Sequence, residues 1–472
     1  MHHLERVRSE HPKAEGPTTM APAWVRGLRT ALPGIAAVSI TTTALLIASG
    51  SVAGASVVWS TPVELSGSPG GGGFFGVSCT RTGECTAVGD DGNNQPVYAT
   101  EAGGVWGPVS ELPGSPGGSG QLFGVSCAGA GNCTAVGQDH QAMPIYATET
   151  RGVWGKITEV PGSGGGWGLL YGVSCTGRGT CTAVGWDRLQ QSQPIYAIET
   201  GGVWGPVTEI SGVSGSLGFA TFTGVSCTAP STCTVVGTGG NTGLLIATVT
   251  AGVWGTVTDL SGSLGFSDFN GVSCTGPGTC TAVGSDGHGR PFFAAEAGGT
   301  WGSPTEVSGS RGPGHGFFGV SCTGPGDCTA VGLDKKFQPI GAIETGGIWG
   351  TVTEVLGSPG GTSAFQDVSC TGAGACTAVG WDGYPTVSSS MFASPAITSF
   401  SPSSGRVGAV VTINGTNLDL CTEVAFDGVP GIITKDTATK IKVQVPAGAT
   451  TGKIKVTTPG GMVKTDTSFT VK

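Results

Sequence analysis

The stretch FFGVSCTRTGECTAVGDDGNNQPVYATEAGGVW, residues 74–106, holds two cysteines six positions apart and ends in a tryptophan. The same arrangement recurs along the chain every 47 to 52 residues. The cysteine pairs are Cys79/Cys85, Cys127/Cys133, Cys175/Cys181, Cys227/Cys233, Cys274/Cys280, Cys322/Cys328 and Cys370/Cys376. The tryptophans are Trp59, Trp106, Trp154, Trp204, Trp254, Trp301 and Trp349. Self-similarity with a period of this length indicates a repeat architecture.

Each copy has room for four short strands. In the first copy these are residues 74–79, 85–89, 96–101 and 105–112. The runs are rich in Val, Thr and aromatic residues and are bounded by Gly, Pro, Asp and Asn, as is typical of strands joined by turns. Seven such units predict an all-β fold, a seven-bladed β-propeller over residues 56–394.

The two ends of the array predict that the ring closes. Residues 57–65 form a lone fourth-strand segment before the first cysteine pair. Residues 391–393 resemble a third strand, and no tryptophan strand follows them. The N-terminal strand can therefore complete the last blade, which leaves no open sheet edge between blades. An open solenoid would need polar capping repeats, and the sequence has none.

The spacing of six, with a glycine-containing turn between the cysteines, places each pair on facing positions of a hairpin. Facing positions bring the Cβ atoms to the separation that a disulfide requires. We therefore predict one structural disulfide per blade. A metal site is excluded because each pair lacks two further ligands, and a redox role is excluded because the pairs are not Cys-x-x-Cys. Cys421 is the fifteenth cysteine, and either a buried inert thiol or an intermolecular disulfide suits it.

The N-terminus predicts export. Residues 1–30 carry five basic side chains, residues 31–48 carry no charge, and Ala53-Gly54-Ala55 supplies small residues for cleavage. We interpret residues 1–55 as a signal peptide, with a retained membrane anchor as the alternative. A secreted or surface-exposed protein would meet the oxidising conditions that disulfides need.

Charge and composition restrict the classes of partner. The formal net charge is −9 and only 11% of the residues are charged. This acidic balance, without Lys/Arg clusters, argues against nucleic acid as a partner. The sequence has no Ser-His-Asp order, no His-Glu-x-x-His and no phosphate-binding loop, so no catalytic residue, metal or cofactor is predicted.

The turn between the third and fourth strands resembles the Asp-box of bacterial neuraminidase repeats, Ser-x-Asp-x-Gly-x-Thr-Trp. The first copy has Ala99, Glu101, Gly103 and Trp106 at the corresponding positions. The pattern recurs around Glu149, Glu199, Glu296 and Glu344, whereas Val249 replaces the acid in the fourth copy. The resemblance implies a propeller with this strand register. It implies no enzyme activity, because the Asp-box is a structural turn in that family.

Residues 395–472 leave the repeat and closely resemble the IPT/TIG domain, an immunoglobulin-like sandwich. The matching residues are Ile397, Phe400-Ser401-Pro402, Gly405, Gly408, Val411-Thr412-Ile413, Gly415, Asn417-Leu418, Phe426, Val445-Pro446-Ala447-Gly448 and Thr458-Pro459-Gly460-Gly461. The alternating strands and Gly/Pro turns independently predict a small β-sandwich. The resemblance implies a spacer or binding module.

Two sets of acids recur along the copies, the first in all seven and the second in six. One set is Glu64, Glu111, Glu159, Glu209, Asp259, Glu306 and Glu354. The other is Asp91, Asp139, Asp187, Asp286, Asp334 and Asp382. The second set follows Ala-Val-Gly, where Asp forms turns by bonding its own backbone. We interpret both sets as structural rather than as a ring of functional carboxylates.

The candidate ligand-contacting residues lie on the irregular loops, which emerge opposite the disulfide hairpins. They are Trp167, Trp186, Arg188, Trp381, Tyr384, His140 and His315. Exposed aromatic side chains on a loop face suit stacking on sugars or packing on a protein. The alternative is that the tryptophans fill gaps between glycine-rich blades.

The sequence therefore favours a binding or adhesion protein that contacts a glycan or protein ligand at the cell exterior. The alternatives are a structural component of an envelope or matrix and, less favoured, a hydrolase or lyase acting on polysaccharide. Paired carboxylates from separate blades leave the enzyme alternative open. The sequence predicts no oligomeric state.

Overall fold

The computed structural model describes residues 57–472 apart from 115–117, 164–167, 188–192, 211–219, 241–242, 261–266, 310–315, 356–362, 419–420 and 459. The predicted signal peptide therefore lies outside the described residues. Within them the regular secondary structure consists of β-strands.

The strands of the first three blades, with the two N-terminal strands before them, are β1 (Val57–Trp59), β2 (Val63–Glu64), β3 (Gly72–Arg81), β4 (Glu84–Asp91), β5 (Pro96–Ala102), β6 (Val105–Trp106), β7 (Ser110–Glu111), β8 (Gly120–Gly129), β9 (Asn132–Asp139), β10 (Pro144–Thr150), β11 (Val153–Trp154), β12 (Thr158–Glu159), β13 (Gly168–Gly177), β14 (Thr180–Asp187), β15 (Gln193–Thr200), β16 (Val203–Trp204) and β17 (Thr208–Glu209).

The strands of blades four to seven are β18 (Ala220–Ala229), β19 (Thr232–Gly239), β20 (Gly243–Thr250), β21 (Val253–Trp254), β22 (Thr258–Asp259), β23 (Asp268–Gly276), β24 (Thr279–Ser285), β25 (Pro291–Ala297), β26 (Thr300–Trp301), β27 (Thr305–Glu306), β28 (Phe317–Gly324), β29 (Asp327–Leu333), β30 (Pro339–Thr345), β31 (Ile348–Trp349), β32 (Thr353–Glu354), β33 (Ala364–Gly372), β34 (Ala375–Trp381) and β35 (Pro385–Phe392).

Each blade is an antiparallel sheet in which consecutive strands pair, for example β3-β4-β5-β6. The predicted fourth strand is wrong in one respect. It is two short strands, β6 and β7, which both pair with β5. The break falls at Gly107-Pro108, and it recurs without proline at Gly155-Lys156 and Gly255-Thr256, so the shared feature is the glycine after the tryptophan.

The ring closes as predicted. Strand β1 pairs with β35 in the register Val57↔Phe392, and β2 pairs with β35 in the register Val63↔Val387. The seventh blade therefore takes its outer edge from the N-terminus. Its third strand begins at Pro385, several residues before the segment that the sequence singled out. The seven-bladed propeller is confirmed.

Glycines set the distance between the two inner strands of each blade. A Cβ at Gly185 would lie 1.9 Å from the carbonyl oxygen of Leu169 on the neighbouring strand. The equivalent glycines of the other six blades, such as Gly137 and Gly237, are equally restricted. Opposite each lies a bulky buried side chain, such as Leu170 facing Gly185. The Ala-Val-Gly motif therefore reflects close packing within the hairpin.

The apolar core lies between blades. In one cluster Phe222, Val235 and Leu245 of the fourth blade pack against Val184 of the third. Trp154, Trp204, Trp254 and Trp349 pack at a tilted angle against an aromatic ring of the preceding blade, as in Tyr146–Trp204 at 5.5 Å and Tyr196–Trp254 at 4.8 Å between ring centroids. In these blades the repeated tryptophan contributes to the packing between blades.

The C-terminal segment folds into the predicted sandwich. Its strands are β36 (Ala396–Ser401), β37 (Ser404–Gly405), β38 (Val410–Thr416), β39 (Glu423–Phe426), β40 (Val429–Pro430), β41 (Ile432–Thr437), β42 (Lys440–Gln444), β43 (Gly452–Thr458) and β44 (Gly461–Val471). Two sheets, β36-β38-β42-β41 and β37-β44-β43-β39-β40, enclose a core that includes Val411, Phe426 and Phe469. The Ig-like architecture is confirmed.

Candidate functional site

All seven predicted disulfides are present. The two cysteines of each pair face each other across the first hairpin, and their Cα atoms lie 3.9 to 4.0 Å apart. Each blade is thus closed at the same end of its inner hairpin. The bonds are Cys79–Cys85, Cys127–Cys133, Cys175–Cys181, Cys227–Cys233, Cys274–Cys280, Cys322–Cys328 and Cys370–Cys376.

The sequence interpretation treated the two cysteines of a pair alike, and the structure corrects this. The first cysteine of each pair is half-buried. The second is buried at 2 to 4% exposure, because its strand lies between two others and its sulfur faces the preceding blade. The buried cysteines are Cys85, Cys133, Cys181, Cys233, Cys280, Cys328 and Cys376. They therefore belong to the packing between blades.

Two circles of hydroxyl contacts join the blades, and the sequence interpretation missed both. In every blade the Ser hydroxyl of the Val-Ser-Cys stretch accepts a hydrogen bond from the amide N–H of the first cysteine in the next blade. The distance from the amide nitrogen to Ser Oγ is 2.9 to 3.0 Å. The Thr after each second cysteine lies 3.3 to 3.6 Å from the sulfur of the buried cysteine in the next blade. The invariance of Ser and Thr across the seven copies was the available signal.

The strand connections define two faces. The turns that join the first to the second strand and the third to the fourth strand lie together on what we call the hairpin face. There the N–H of Gly104 donates to the carbonyl of Gly83 at 3.0 Å, and five other blades repeat this bond. The remaining connections form the loop face. There the N–H of Gly120 at the start of blade two donates to the carbonyl of Asn94 in blade one, at 2.8 Å.

The repeated Asp of the loop face forms turns. One carboxylate oxygen of Asp91 accepts the N–H groups of Asn93 and Gln95, both at 2.8 Å. The same pair of bonds recurs at Asp139, Asp286 and Asp334. The structural interpretation of these four acids is therefore correct.

The two repeated acid sets meet at the loop face. In blade five Arg290 bridges them, at 2.7 Å from Asp286 and 2.9 Å from Glu306. In blade seven no such cation intervenes among the residues that the structure describes. Burial, a hydrogen bond with Asp382 and its negative charge together raise the pKa of Glu64 to about 7. This carboxyl pair joins the N-terminal strand to the last blade.

The mouth of the propeller at the loop face is where the blades differ most. We define the mouth by the facing pairs Gly73↔Asp90, Gln121↔Gln138, Leu169↔Trp186, Thr221↔Thr238, Asp268↔Ser285 and Ala364↔Trp381. One step further in, every blade has a bulky apolar residue facing glycine, such as Phe222↔Gly237. The repeat is therefore strict in the interior and relaxed at the mouth.

A polar network crosses from blade one to blade two at this mouth. The Gln121 amide donates to Asp90 Oδ2 at 2.6 Å, and the Gln138 amide donates to Gln121 Oε1 at 3.2 Å. Burial raises the pKa of Asp90 to about 7, although the bond from Gln121 opposes the shift. Across the ring, burial also raises the pKa of Asp268.

Two of the predicted tryptophans occupy equivalent mouth positions in different blades. Trp186 is half-buried in blade three and lies beside Tyr171. Burial raises the pKa of Tyr171 to about 12. Trp381 is half-buried in blade seven. A Cβ added at Gly73 of blade one would lie 2.7 Å from the Cβ of Trp381. Trp381 thus packs over a glycine of the next blade, as the gap-filling alternative expects, and its contact with a ligand stays a prediction.

The other candidates are spread around the face. Tyr384 follows Trp381 in the same loop and is 46% exposed. His140 is exposed in blade two, and its backbone N–H donates to Ser119. Trp167, Arg188 and His315 lie outside the described residues. The described candidates therefore share the loop face without forming one contiguous cluster of contacts.

An acid that the sequence interpretation overlooked lies on the innermost strand of blade seven. Asp367 occupies a position that is glycine in most other blades, such as Gly76 in blade one. Its Oδ2 accepts the N–H of Val77 in blade one at 2.9 Å. Burial raises the pKa of Asp367 to about 7, although the hydrogen bond from Val77 lowers it. Asp367 therefore links the last blade to the first.

The glutamates of the Asp-box-like turns are buried at the hairpin face. They are Glu101, Glu149, Glu199, Glu296 and Glu344, each at most 6% exposed. Each has an Oε2 atom without a hydrogen-bond partner among the described residues. Burial raises their pKa values. The likeness to the Asp-box itself stays a resemblance.

In the C-terminal domain Cys421 is half-buried, and its Sγ lies 3.4 Å from the carbonyl oxygen of Glu423. Burial raises the pKa of this thiol, which lowers its reactivity. Across the part of the chain that the structure describes, no three His, Cys, Asp or Glu side chains form a metal-binding group.

Comparison with known proteins identifies the C-terminal domain. Residues 395–471 match the model of the IPT/TIG domain family. No curated protein matches the chain in sequence.

Several solved structures resemble the chain at low identity. YCF48 from Cyanidioschyzon merolae has 12% identity and a TM-score of 0.48, over 70% of this chain and 99% of that one. A fungal alcohol oxidase in complex with copper has 12% identity and a TM-score of 0.45, over 87% and 99%. Aleuria aurantia lectin in complex with Fucα1-6GlcNAc has 13% identity and a TM-score of 0.41, over 60% and 96%. At these values the likeness assigns neither a ligand nor an activity to the chain.

Proposed function

We propose that the chain is an extracellular binding protein whose loop-face mouth contacts a glycan or a protein ligand. The observation that carries the proposal is the contrast between the strict interior and the varied mouth. Facing pairs such as Gln121↔Gln138, Leu169↔Trp186 and Asp268↔Ser285 differ from blade to blade, although the fold around them repeats. Variable side chains on a rigid frame are typical of a recognition surface.

The chemistry of the mouth suits such a ligand. Trp186 and Trp381 offer indole faces, while Gln121 and Asp268 offer amide and carboxyl groups. Aromatic surfaces combined with a few placed polar groups recognise sugar rings and peptide segments alike. The IPT/TIG domain would act beside the propeller as a spacer or a second binding module.

The disulfides support an oxidising location. Seven bonds of this kind persist outside the cytosol and are rare within it. In the described residues no helix has the length and apolar character of a membrane span. Together with the predicted signal peptide, the disulfides favour a secreted or surface-exposed protein.

The test is a glycan-array and cell-surface pull-down screen with the full chain and two variants. We expect the double variant Trp186→Ala/Trp381→Ala to lose specific binding. Val153→Ala, an exposed position on the hairpin face at 70% exposure, should bind as the parent does. A melting curve must accompany the double variant, since Trp381 also packs over Gly73.

A folded double variant that binds like the parent would exclude the mouth as the contact surface. If the parent binds nothing in either screen, the structural alternative, an envelope or matrix component, becomes the better interpretation. Turnover of a polysaccharide or sialoside by the parent would instead favour the enzyme alternative.

A further inference from the structure

The hairpin face contains a cavity of about 130 Å³ between blades six and seven. It is lined by Ser321, Asp327, Thr329 and Glu344 from blade six and by Gly372 and Gly374 from blade seven, among others. The volume is roughly ten times what a single water needs. Blade seven contributes Cys370, Gly372, Ala373 and Gly374, so its wall has no charged or hydroxyl side chain, and the carboxyl groups of the lining come from blade six.

The two carboxyl groups in this cavity have no cation beside them. Glu344 is 4% exposed, and its Oε2, like that of the four equivalent glutamates, has no hydrogen-bond partner within the described residues. Asp327 accepts the N–H of Gly346 through Oδ1 at 2.9 Å. No lysine or arginine of the described chain pairs with either acid. A buried acid without a compensating partner is costly, so the arrangement favours an external cation.

Blade one has an equivalent acid pair with an arginine beside one member, although Glu101 Oε2 also has no hydrogen-bond partner within the described residues. Glu84 and Glu101 correspond to Asp327 and Glu344, and the negative charge of Glu84 likewise acts on Glu101. There the Arg81 guanidinium lies 2.7 Å from Glu84. Arg81 faces Glu84 across the turn, and in blade six the residue facing Asp327 is Gly324. Blade six therefore has the acid pair of blade one without the arginine.

The remaining blades lack the second acid. The position of Asp327 holds Asn132, Thr180, Thr232, Thr279 and Ala375 in the other five copies. The acid pair is thus a departure from the repeat and not a requirement of the fold. In blade six this departure coincides with the cavity.

We propose that this cavity binds the guanidinium group of an arginine side chain from a partner protein. The polar side chains that line the cavity are carboxylates and hydroxyls, and all of them can accept hydrogen bonds. A guanidinium supplies five donors and a charge that the two carboxylates would compensate, and its plane suits carboxylate geometry. A bare metal ion fits less well, because the cavity is far wider than an ion and supplies only two carboxylates.

Binding at this site depends on pH. Burial and the charge of Asp327 raise the pKa of Glu344 to about 7. The only titratable side chains that line the cavity are Asp327 and Glu344, since blade seven contributes Cys370 in a disulfide and Gly and Ala residues. A cation favours the ionised form of Glu344, so its affinity rises as the pH increases from about 6 to about 8.

The experiment measures binding of N-acetyl-arginine N-methylamide to the full chain by calorimetry or saturation-transfer NMR. The matched probe is the citrulline analogue, which has nearly the same shape and no charge. We expect the citrulline probe to bind at least about tenfold more weakly, as for a charge-assisted hydrogen bond. Glu344→Gln and Asp327→Asn should each weaken the arginine probe by a similar factor. Glu149→Gln, the equivalent buried acid of blade two, should have no effect.

Blade one supplies a second, independent variant. Gly324→Arg places an arginine where Arg81 stands in the first repeat and should abolish binding of the probe. A Cβ at Gly324 meets nothing closer than Asp327 Oδ2 at 3.3 Å, and its φ lies outside the left-handed region, so the variant should fold. A melting temperature like that of the parent would verify this.

Equal binding of the two probes would overturn the proposal, and so would parental affinity in Glu344→Gln and Asp327→Asn. Trp186→Ala must leave the arginine probe unaffected, because that residue belongs to the opposite face. The result is therefore distinguishable from a failure of the loop-face proposal.

Discussion

The hairpin face and the loop-face mouth are built from the same repeat, but the hairpin face is nearly the same in every blade and the mouth differs from blade to blade. On the hairpin face a disulfide, a serine hydrogen bond and a glycine turn recur in nearly every blade. At the mouth the facing pairs range from Gly73↔Asp90 to Leu169↔Trp186. The hairpin face needs the same complementary contacts with the next blade in every copy, whereas the mouth combines buried side chains, such as Leu169 at 4% exposure, with half-buried ones, such as Trp186.

This comparison predicts that substitutions in the repeated interior cost stability by similar amounts in any blade. Substitutions at the mouth should instead cost binding and leave stability nearly unchanged. Four changes to the repeated part, ordered from the largest expected effect, test the first half of this statement.

The largest effect is expected for Gly185→Ala. Its Cβ would lie 1.9 Å from the Leu169 carbonyl oxygen, so the two inner strands must separate. We expect a loss of about 3 kcal/mol or more in the free energy of unfolding, measured by denaturant titration. Gly129→Ala is the control, because a Cβ there meets nothing within 4 Å. Equal stability of the two variants would show that the inner hairpin is less tightly packed than described.

The second effect is the loss of one disulfide. Replacing Cys175 and Cys181 by alanine opens a short loop, and chain entropy gives a loss of about 2 kcal/mol. The corresponding change at Cys227 and Cys233 in the next blade should cost the same, because Cys181 and Cys233 are equally buried. A difference of more than about 1 kcal/mol between the blades would contradict their equivalence.

The third change concerns the buried acids of the hairpin face. Blade four has Val249, 2% exposed, where blade two has Glu149. Glu149→Val removes a buried carboxyl with an unpartnered oxygen and should stabilise the protein by about 1 kcal/mol at about pH 8. A destabilised variant would mean that the acid has a necessary partner.

The pH dependence of this variant has a definite sign. Burial raises the pKa of Glu149 above its ordinary value of 4.5. A group whose pKa is higher in the folded chain stabilises the fold at low pH, and that stability is lost as the pH rises through the folded pKa. The advantage of Glu149→Val over the parent should therefore shrink on acidification from about pH 8 to about pH 5, as thermal unfolding can measure. The parent should also gain stability over this range, since Asp90 and Asp367 shift in the same direction.

The smallest effect is expected for the serine circle. Ser126→Ala removes the acceptor of the Cys175 N–H and should cost about 1 kcal/mol or less. Ser369→Ala makes the same change between the last and the first blade. A much larger cost for Ser369→Ala would show that the closure between blades seven and one is weaker than the other junctions.

Much of the fold was predictable because its signals are local. Residues such as Cys175 and Cys181 are six positions apart, and a turn of that length determines their pairing. The asymmetric ends of the repeat predicted closure by β1, and the turn role of Asp91 followed from its place after Ala-Val-Gly. The break in the fourth strand at Gly107-Pro108 was missed, although the glycine that recurs after the tryptophan, as at Gly155 and Gly255, was a usable signal.

The burial of one cysteine in each pair was not predictable from the same spacing. Cys85, Cys133, Cys280 and Cys376 are 2 to 4% exposed, because each lies against a threonine of the preceding blade. The spacing of six concerns one hairpin alone. Which side of that hairpin meets the neighbouring blade depends on how the ring packs.

The candidate sites were less predictable because their partners lie one blade away. Trp381 was singled out as a ligand contact, but its packing over Gly73 joins blades seven and one. Gln121 was not singled out, because its bond to Asp90 spans 31 positions. The predictions for Trp167, Arg188, His315 and the signal peptide stay predictions, since they fall outside the described residues.

The sequence alone determined the number of blades, the disulfide pairing and the way in which the ring closes, because these follow from how often the unit recurs, the spacing within it and the incomplete units at the two ends of the array. Only the tertiary structure decided which polar groups meet at the junctions between blades. Asp367 of blade seven accepts the N–H of Val77 in blade one, and the Gln121 amide of blade two donates to Asp90 of blade one. The physical reason is that such pairs depend on how neighbouring blades pack, and a one-dimensional period does not specify those distances.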